Sequence, residues 1–184
     1  MYPLAPSSGL ALALTRALDD EYRARATYLA VIARHGPLEP FRSIAEAEQR
    51  HVDALVRAFW RHGLPVPPDP WFGKVCPPET VEAACAAGVE GEIANIRMYD
   101  QLLLAVPEPD VQQTFRHLRE ASLSRHLPAF SACLDRCAQA AGGARRAPPG
   151  AADAFMRGAP GIAVGLLLGA GLVWGLGRRR PQGR

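Results

Sequence analysis

The chain has 184 residues with 21 Lys/Arg against 18 Asp/Glu, a formal net charge of +3, enough for one domain with a real core and a short appendage. The charge is unevenly placed: residues 1–143 carry 14 basic and 17 acidic side chains, whereas residues 144–184 carry seven arginines and one aspartate. A mildly acidic body argues against a nucleic-acid-binding core, and plentiful Ala, Leu and Arg with few β-branched residues point to helices joined by Pro-rich loops.

Ser7-Ser8 precede a helical pattern that stops at Gly36-Pro37, with Leu14, Leu18, Glu21, Tyr28 and Ile32 on one face and His35 placed to cap its end. A second helix is predicted over about 39–62, its inner face reading Phe41, Ile44, Glu48, His51, Val52, Leu55, Phe59. Residues 63–78 hold six prolines and exclude helix. The third helix, about 79–106, turns Val81, Cys85, Val89, Glu92, Ile96, Tyr99 and Leu103 inward; the fourth, about 109–141, turns Val111, Phe115, Ser122, His126, Phe130, Cys133 and Cys137 inward. Pro128 removes one backbone bond from the fourth helix and predicts a kink there.

The long Pro-rich connection sets the expected topology. An extended stretch of that length reaches roughly 45–50 Å at ~3.1 Å per residue, whereas a helix of some 22 residues is only about 33 Å long. The connection is therefore able to run the length of a bundle and set helices two and three parallel. The expected body is an all-α four-helix bundle, two helical hairpins joined by one long crossover.

Beyond residue 143 the reading changes. Residues 144–157 form a Gly/Ala/Pro/Arg linker, and 158–177 are a 20-residue run without charge that ends near Trp174 and precedes a basic tail, 178–184. About 20 apolar residues span a bilayer as a helix. Gly161, Gly165 and Gly169, with Gly171 and Gly175, make GxxxG faces for close helix–helix contact. The expectation is a C-terminal transmembrane helix, hence membrane localisation by a single-pass anchor with the main domain in the cytoplasm, since no secretory signal opens the chain. A homodimer through the GxxxG faces or the bundle is the expected self-association.

The chemistry rests on a near-duplication. Glu21 is followed seven residues on by Tyr28, and Glu92 seven on by Tyr99; Phe41 leads through Glu48 to His51, and Phe115 leads to His126. A Glu and a His three apart share one helix face and can bind one metal. A carboxylate on an apolar face otherwise carries a desolvation cost of several kcal/mol, which a metal relieves.

This order, Glu21, Glu48-x-x-His51, Glu92 and a fourth-helix His126 around a crossover, resembles the ferritin-like carboxylate-bridged di-iron proteins, rubrerythrin and bacterioferritin among them. The segments "FRSIAEAEQRHVDAL", "GVEGEIANIRMYDQLL" and "ASLSRHLPAF" look most like a set of bacterial ferritin-like domains, over roughly residues 10–140. The resemblance implies a di-iron or di-manganese site of the oxidase or peroxidase type, handling Fe²⁺, O₂ or peroxide. Glu21, Glu48, His51, Glu92 and His126 would be its ligands, and Tyr28 or Tyr99 would bond the ligands or carry an electron. With no CxxC pair for a rubredoxin-type iron, such an enzyme needs an external electron donor.

The fourth helix departs from that pattern. The residue three before His126 is Leu123, and aligning Phe115 with Phe41 puts Ser122 opposite Glu48 instead. Phe41 to His51 is ten residues and Phe115 to His126 is eleven, an insertion that a π-bulge would absorb. Glu120 is the sixth candidate ligand, out of register, and Arg119 falls near the inner face. With one carboxylate missing, the other reading is a metal-free or degenerate bundle acting as a membrane-tethered interaction or stress-response scaffold. The four cysteines lack metal-finger spacing; the topology sets Cys85 opposite Cys133 at one end, with Cys76 and Cys137 just beyond, as reduced core residues or as two disulfides.

Overall fold

The computed structural model describes residues 8–146, which are all helical apart from their connections: α1 (Ser8–His35), α2 (Phe41–Arg61), α3 (Val81–Ala105), α4 (Pro109–Ala121), a π-helical turn (Ser122–His126) and α5 (Leu127–Arg146). No strand occurs among the described residues. Helix α4, the π turn and α5 follow one another without a loop and together make the fourth rod of an all-α bundle, running a few residues past the expected end. Local chemistry sets the boundaries. Gly36, at φ 90°, ends α1 by donating its N–H to the Ile32 carbonyl. Thr80 caps α3 by accepting from the Ala83 N–H, and Pro109 opens α4 where a missing N–H costs nothing.

Helix α1 packs chiefly on α2, and α3 on α4 and α5, which gives two hairpins. Two separate apolar clusters fix their relative direction. One joins the first half of α1 (Leu14, Leu18), the second half of α2 (Leu55, Phe59), the second half of α3 (Tyr99, Leu102) and α4 (Phe115). The other joins the second half of α1 (Tyr28, Val31), the first half of α2 (Phe41, Ile44), the first half of α3 (Ala84, Cys85) and α5 (Phe130, Cys133). Helices α2 and α3 therefore run parallel, and the connection between them must travel the length of the bundle.

That connection lies along α1. The Trp71 indole N–H donates to Asp19 at 2.9 Å, the Tyr22 hydroxyl to the Pro67 carbonyl at 3.4 Å, and Arg25 pairs with Asp69 at 2.7 Å. Farther along, His35 does not cap its own helix; its Nε2 donates to the Pro78 carbonyl at 2.9 Å and pins the far end of the crossover.

The cysteines resolve into one pair and two free thiols. Cys85 and Cys133 are joined, with Cα atoms 5.9 Å apart, while Cys76 is exposed and Cys137 half-buried, both unpaired. The facing positions of Cys85 and Cys133 agree with the topology expected from sequence; a second disulfide is not formed.

The expected membrane localisation is corrected. No helix among the described residues is long and apolar enough to cross a membrane. The run 158–177 and its GxxxG faces, on which that expectation rested, lie outside the described residues.

One close approach holds the second cluster in register. Gly88 of α3 lies against the ring of Phe130, so that a β-carbon there would sit 2.5 Å from a ring carbon. Phe130 is itself wedged between Tyr28 and Phe41, with ring centroids 5.0 and 5.2 Å away. Gly88→Ala is expected to destabilise the chain by about 1–3 kcal/mol through overpacking, against a helix-propensity gain of about 1 kcal/mol. Urea unfolding at matched pH measures it; an unchanged or raised midpoint would show that Phe130 has room to move.

Candidate metal centre

Between the two apolar clusters lies a single polar layer. It contains the seven buried polar or charged side chains of the described residues: Glu21, Glu48, His51, Glu92, Asn95, Ser122 and His126. Each of the four rods supplies at least one of them. The three carboxylates are only 1–2 % exposed, and buried charges at that depth persist only when paired or ligating.

Glu48 is the centre of the layer. Its Oε2 lies 2.7 Å from His51 Nδ1, and its Oε1 lies 3.1 Å from His126 Nδ1. His51 Nδ1 is also 3.1 Å from Glu21 Oε2, and His126 Nδ1 is 3.5 Å from Glu92 Oε2. The two imidazoles stack with centroids 5.4 Å apart. The tyrosines cross over: Tyr28 donates to Glu92 Oε1 at 2.8 Å and Tyr99 donates to Glu21 Oε1 at 2.6 Å. A tyrosine seven residues after each outer glutamate thus steadies the glutamate of the other hairpin.

The residues fall into two sets of three donors, Glu21, Glu48, His51 and Glu48, Glu92, His126, each with ligand atoms within 4.8 Å of one another. Either set is able to hold a metal ion, and Glu48 belongs to both. One atom also lacks a protein partner. His126 Nδ1 is fully buried and near Glu48, yet the angle is wrong for a hydrogen bond, so a ring nitrogen faces the carboxylates with no directed contact.

The electrostatics follow from this packing. Burial raises the Glu21 carboxyl to about 7, reinforced by repulsion from Glu48 and opposed by His51. Burial also works to raise Glu48, but the nearby His126 and His51 rings outweigh it and hold the group down at about 2. Burial works against a charged imidazole, yet the facing carboxylates win: His51 is raised to about 10 by Glu21 and Glu48, and His126 to about 9 by Glu48 and Glu92. Without a metal, Glu48 is therefore an anion between two imidazolium rings.

On the fourth rod the inserted residue is taken up as expected from the sequence. The Leu127 N–H bonds to the Ser122 carbonyl five residues back, and the next residue, Pro128, has no N–H to restore the α pattern. This turn buries Ser122 and His126 together and leaves Leu123 exposed. Glu120 is exposed and lies outside the layer; it offers only its backbone carbonyl, to the Ser124 hydroxyl. Arg119 reaches outward to Asp100 at 2.6 Å instead of entering the site.

Asn95 was not anticipated. The Ser122 hydroxyl donates to Asn95 Oδ1, and Asn95 Nδ2 donates to Asp20 at 2.9 Å and Glu21 at 3.3 Å. Its place three residues after Glu92 was the available signal, a second polar residue one turn on along the same face.

The comparisons speak to the fold alone. No protein-family model and no curated protein matches this chain. A solved structure of a hypothetical protein from Methanococcus jannaschii is similar at a TM-score of 0.66 and 21% identity, covering 75% of this chain and 87% of that one. A hypothetical protein from Pyrococcus furiosus is similar at a TM-score of 0.53 and 20% identity, covering 68% and 88%.

A cleft between α1 and α3 opens onto the layer. It has a volume of about 330 Å³ and small side chains on both walls (Ala24, Ala87, Gly91, Ala94), with Glu48, Glu92 and Asn95 among its lining residues. Asp20, raised by its burial, also lines it.

Two outcomes follow. His51 and His126 bind more protons folded than unfolded between their ordinary value of 6.5 and about 9–10, and Glu21 does so between 4.5 and about 7. The stability of the chelator-treated chain should therefore fall as pH rises from about 4.5 to 10, and metal affinity should rise over the same range as protons leave Glu21 and both rings. Denaturant midpoints at pH 6, 8 and 10 test this, and a flat profile would contradict it. Tyr28→Phe and Tyr99→Phe should each weaken divalent-metal binding about 10–100-fold, measured by calorimetry; unchanged affinity would make the tyrosines packing residues only.

Proposed function

We propose that this chain is a ferritin-like dinuclear metal protein whose layer binds two iron or two manganese ions and handles Fe²⁺, O₂ or peroxide. The observation that carries the reading is Glu48, a buried carboxylate whose two oxygens face two different imidazoles. Glu21 and His51 would complete one ion's protein ligands, Glu92 and His126 the other's. Carboxylate-rich sites with one imidazole per metal and no thiolate suit iron and manganese better than copper or zinc. Bound in pairs, such ions supply redox chemistry toward O₂ or peroxide.

The chain's own residues do the remaining work. Tyr99 and Asn95 fix the free edge of Glu21, Tyr28 fixes that of Glu92, and each glutamate thereby keeps one oxygen turned toward its histidine. The two apolar clusters exclude water above and below the layer, so the cleft beside Asp20 is the route for small reactants. Through the crossed Tyr–Glu bonds, Tyr28 and Tyr99 would also carry an electron from an external donor toward the layer.

The competing reading is a metal-free bundle serving as an interaction or stress-response scaffold. One observation favours it: the glutamates and histidines pair their charges internally. Anaerobic loading of the full chain with Fe²⁺, followed by O₂ or peroxide, separates the two. The dinuclear reading expects bound iron to oxidise faster than free Fe²⁺, with Glu48→Ala losing at least about tenfold of that rate because both ions share the residue. Binding below one ion per chain, unaffected by His51→Ala, would leave the scaffold reading.

A further inference from the structure

Away from the polar layer, three sulfurs come together at the end of the bundle that holds Phe130. Cys85 on α3 and Cys133 on α5 are joined and buried. Cys137, one helical turn beyond Cys133, is half-buried and unpaired, and its sulfur lies with theirs in a group whose atoms are all within 4.8 Å. We propose that these three residues form a thiol–disulfide exchange site, in which Cys137 carries reducing equivalents between an external dithiol and the buried pair.

The chemistry needs a thiolate close to a disulfide whose sulfurs an outside thiol does not reach. Both conditions are met: Cys85 is fully buried and Cys133 nearly so, and Cys137 is the member of the three with substantial solvent access. Geometry also selects the bond that forms. Residues four apart on a helix hold their β-carbons about 5–6 Å apart, beyond the roughly 3.5–4.5 Å of a disulfide. A Cys133–Cys137 bond is therefore disfavoured, and Cys137 is expected to attack Cys85.

In the first step the Cys137 thiolate forms a bond to Cys85 Sγ, the Cys85–Cys133 bond breaks, and Cys133 leaves with the electron pair and takes up a proton. No net oxidation occurs, and the disulfide now includes a sulfur reachable from solvent. In the second step one thiolate of the external dithiol bonds to Cys137 Sγ and Cys85 leaves as a thiol. The dithiol's second sulfur then displaces Cys137, so the reductant departs as its own disulfide and the chain holds three thiols. The reverse sequence reoxidises the pair. The site stands on the sulfur positions alone and is independent of metal in the polar layer.

The test uses the full chain, air-oxidised, quenched in acid, alkylated and mapped by mass spectrometry, with dithiothreitol as the reductant. Both Cys85–Cys133 and Cys85–Cys137 linkages are expected in the unsubstituted protein. Cys137→Ser should slow reduction of the remaining pair at least about tenfold, while Cys76→Ser leaves the rate unchanged. A single Cys85–Cys133 linkage together with equal rates for Cys137→Ser and the unsubstituted chain would overturn the proposal, as would oxidised protein with no disulfide at Cys85. The linkage map needs no variant, so the proposal stays falsifiable if Cys137→Ser folds poorly.

Discussion

The anion of Glu48, held between His51 and His126, is the contact on which the rest of the structure depends. Burying a carboxylate costs several kcal/mol unless it is paired in good geometry, and here both of its oxygens face ring nitrogens from two different rods. That requirement fixes the rotation of α2 and the position of the fourth rod at once. The apolar clusters on either side then hold the helices at the spacing this contact needs, and the crossover along α1 makes the parallel placement of α2 and α3 possible.

The two hairpins are alike but not equal. Glu21 and Glu92 play matching parts, each bonded by the other hairpin's tyrosine, and His51 and His126 stack face to face. The symmetry ends at the fourth rod, where Ser122 stands in place of a second central glutamate and passes its hydroxyl to Asn95. On the dinuclear reading, two divalent ions would meet three protein carboxylates. A further anionic ligand would then have room to enter by the cleft that Asn95 lines.

Much of this was legible because periodicity reports burial directly. Glu21, Glu48, His51, Glu92 and His126 sit on apolar faces in the sequence and all five are buried in one layer. The one-residue surplus between Phe115 and His126 foretold a π turn, since an extra residue must go somewhere if both ends are buried. Spacing alone keeps Glu120 a candidate ligand and puts Arg119 near the inner face, but the turn that buries Ser122 and His126 leaves Glu120 in solvent and Arg119 facing Asp100. Asn95 was missed because an amide on a helix face looks like any surface residue until its partners are known. The facing of Cys85 and Cys133, and the place of Cys137 at the same end, followed from topology, whereas the bond between the first two depended on side-chain placement that spacing alone does not give.

The most direct measurement is anomalous diffraction from crystals of the full chain soaked in Mn²⁺. The account predicts two peaks about 3.5–4 Å apart, one beside His51 and Glu21, the other beside His126 and Glu92, with Glu48 reaching both. A single peak, or none in this layer at saturating Mn²⁺, would contradict the shared role of Glu48.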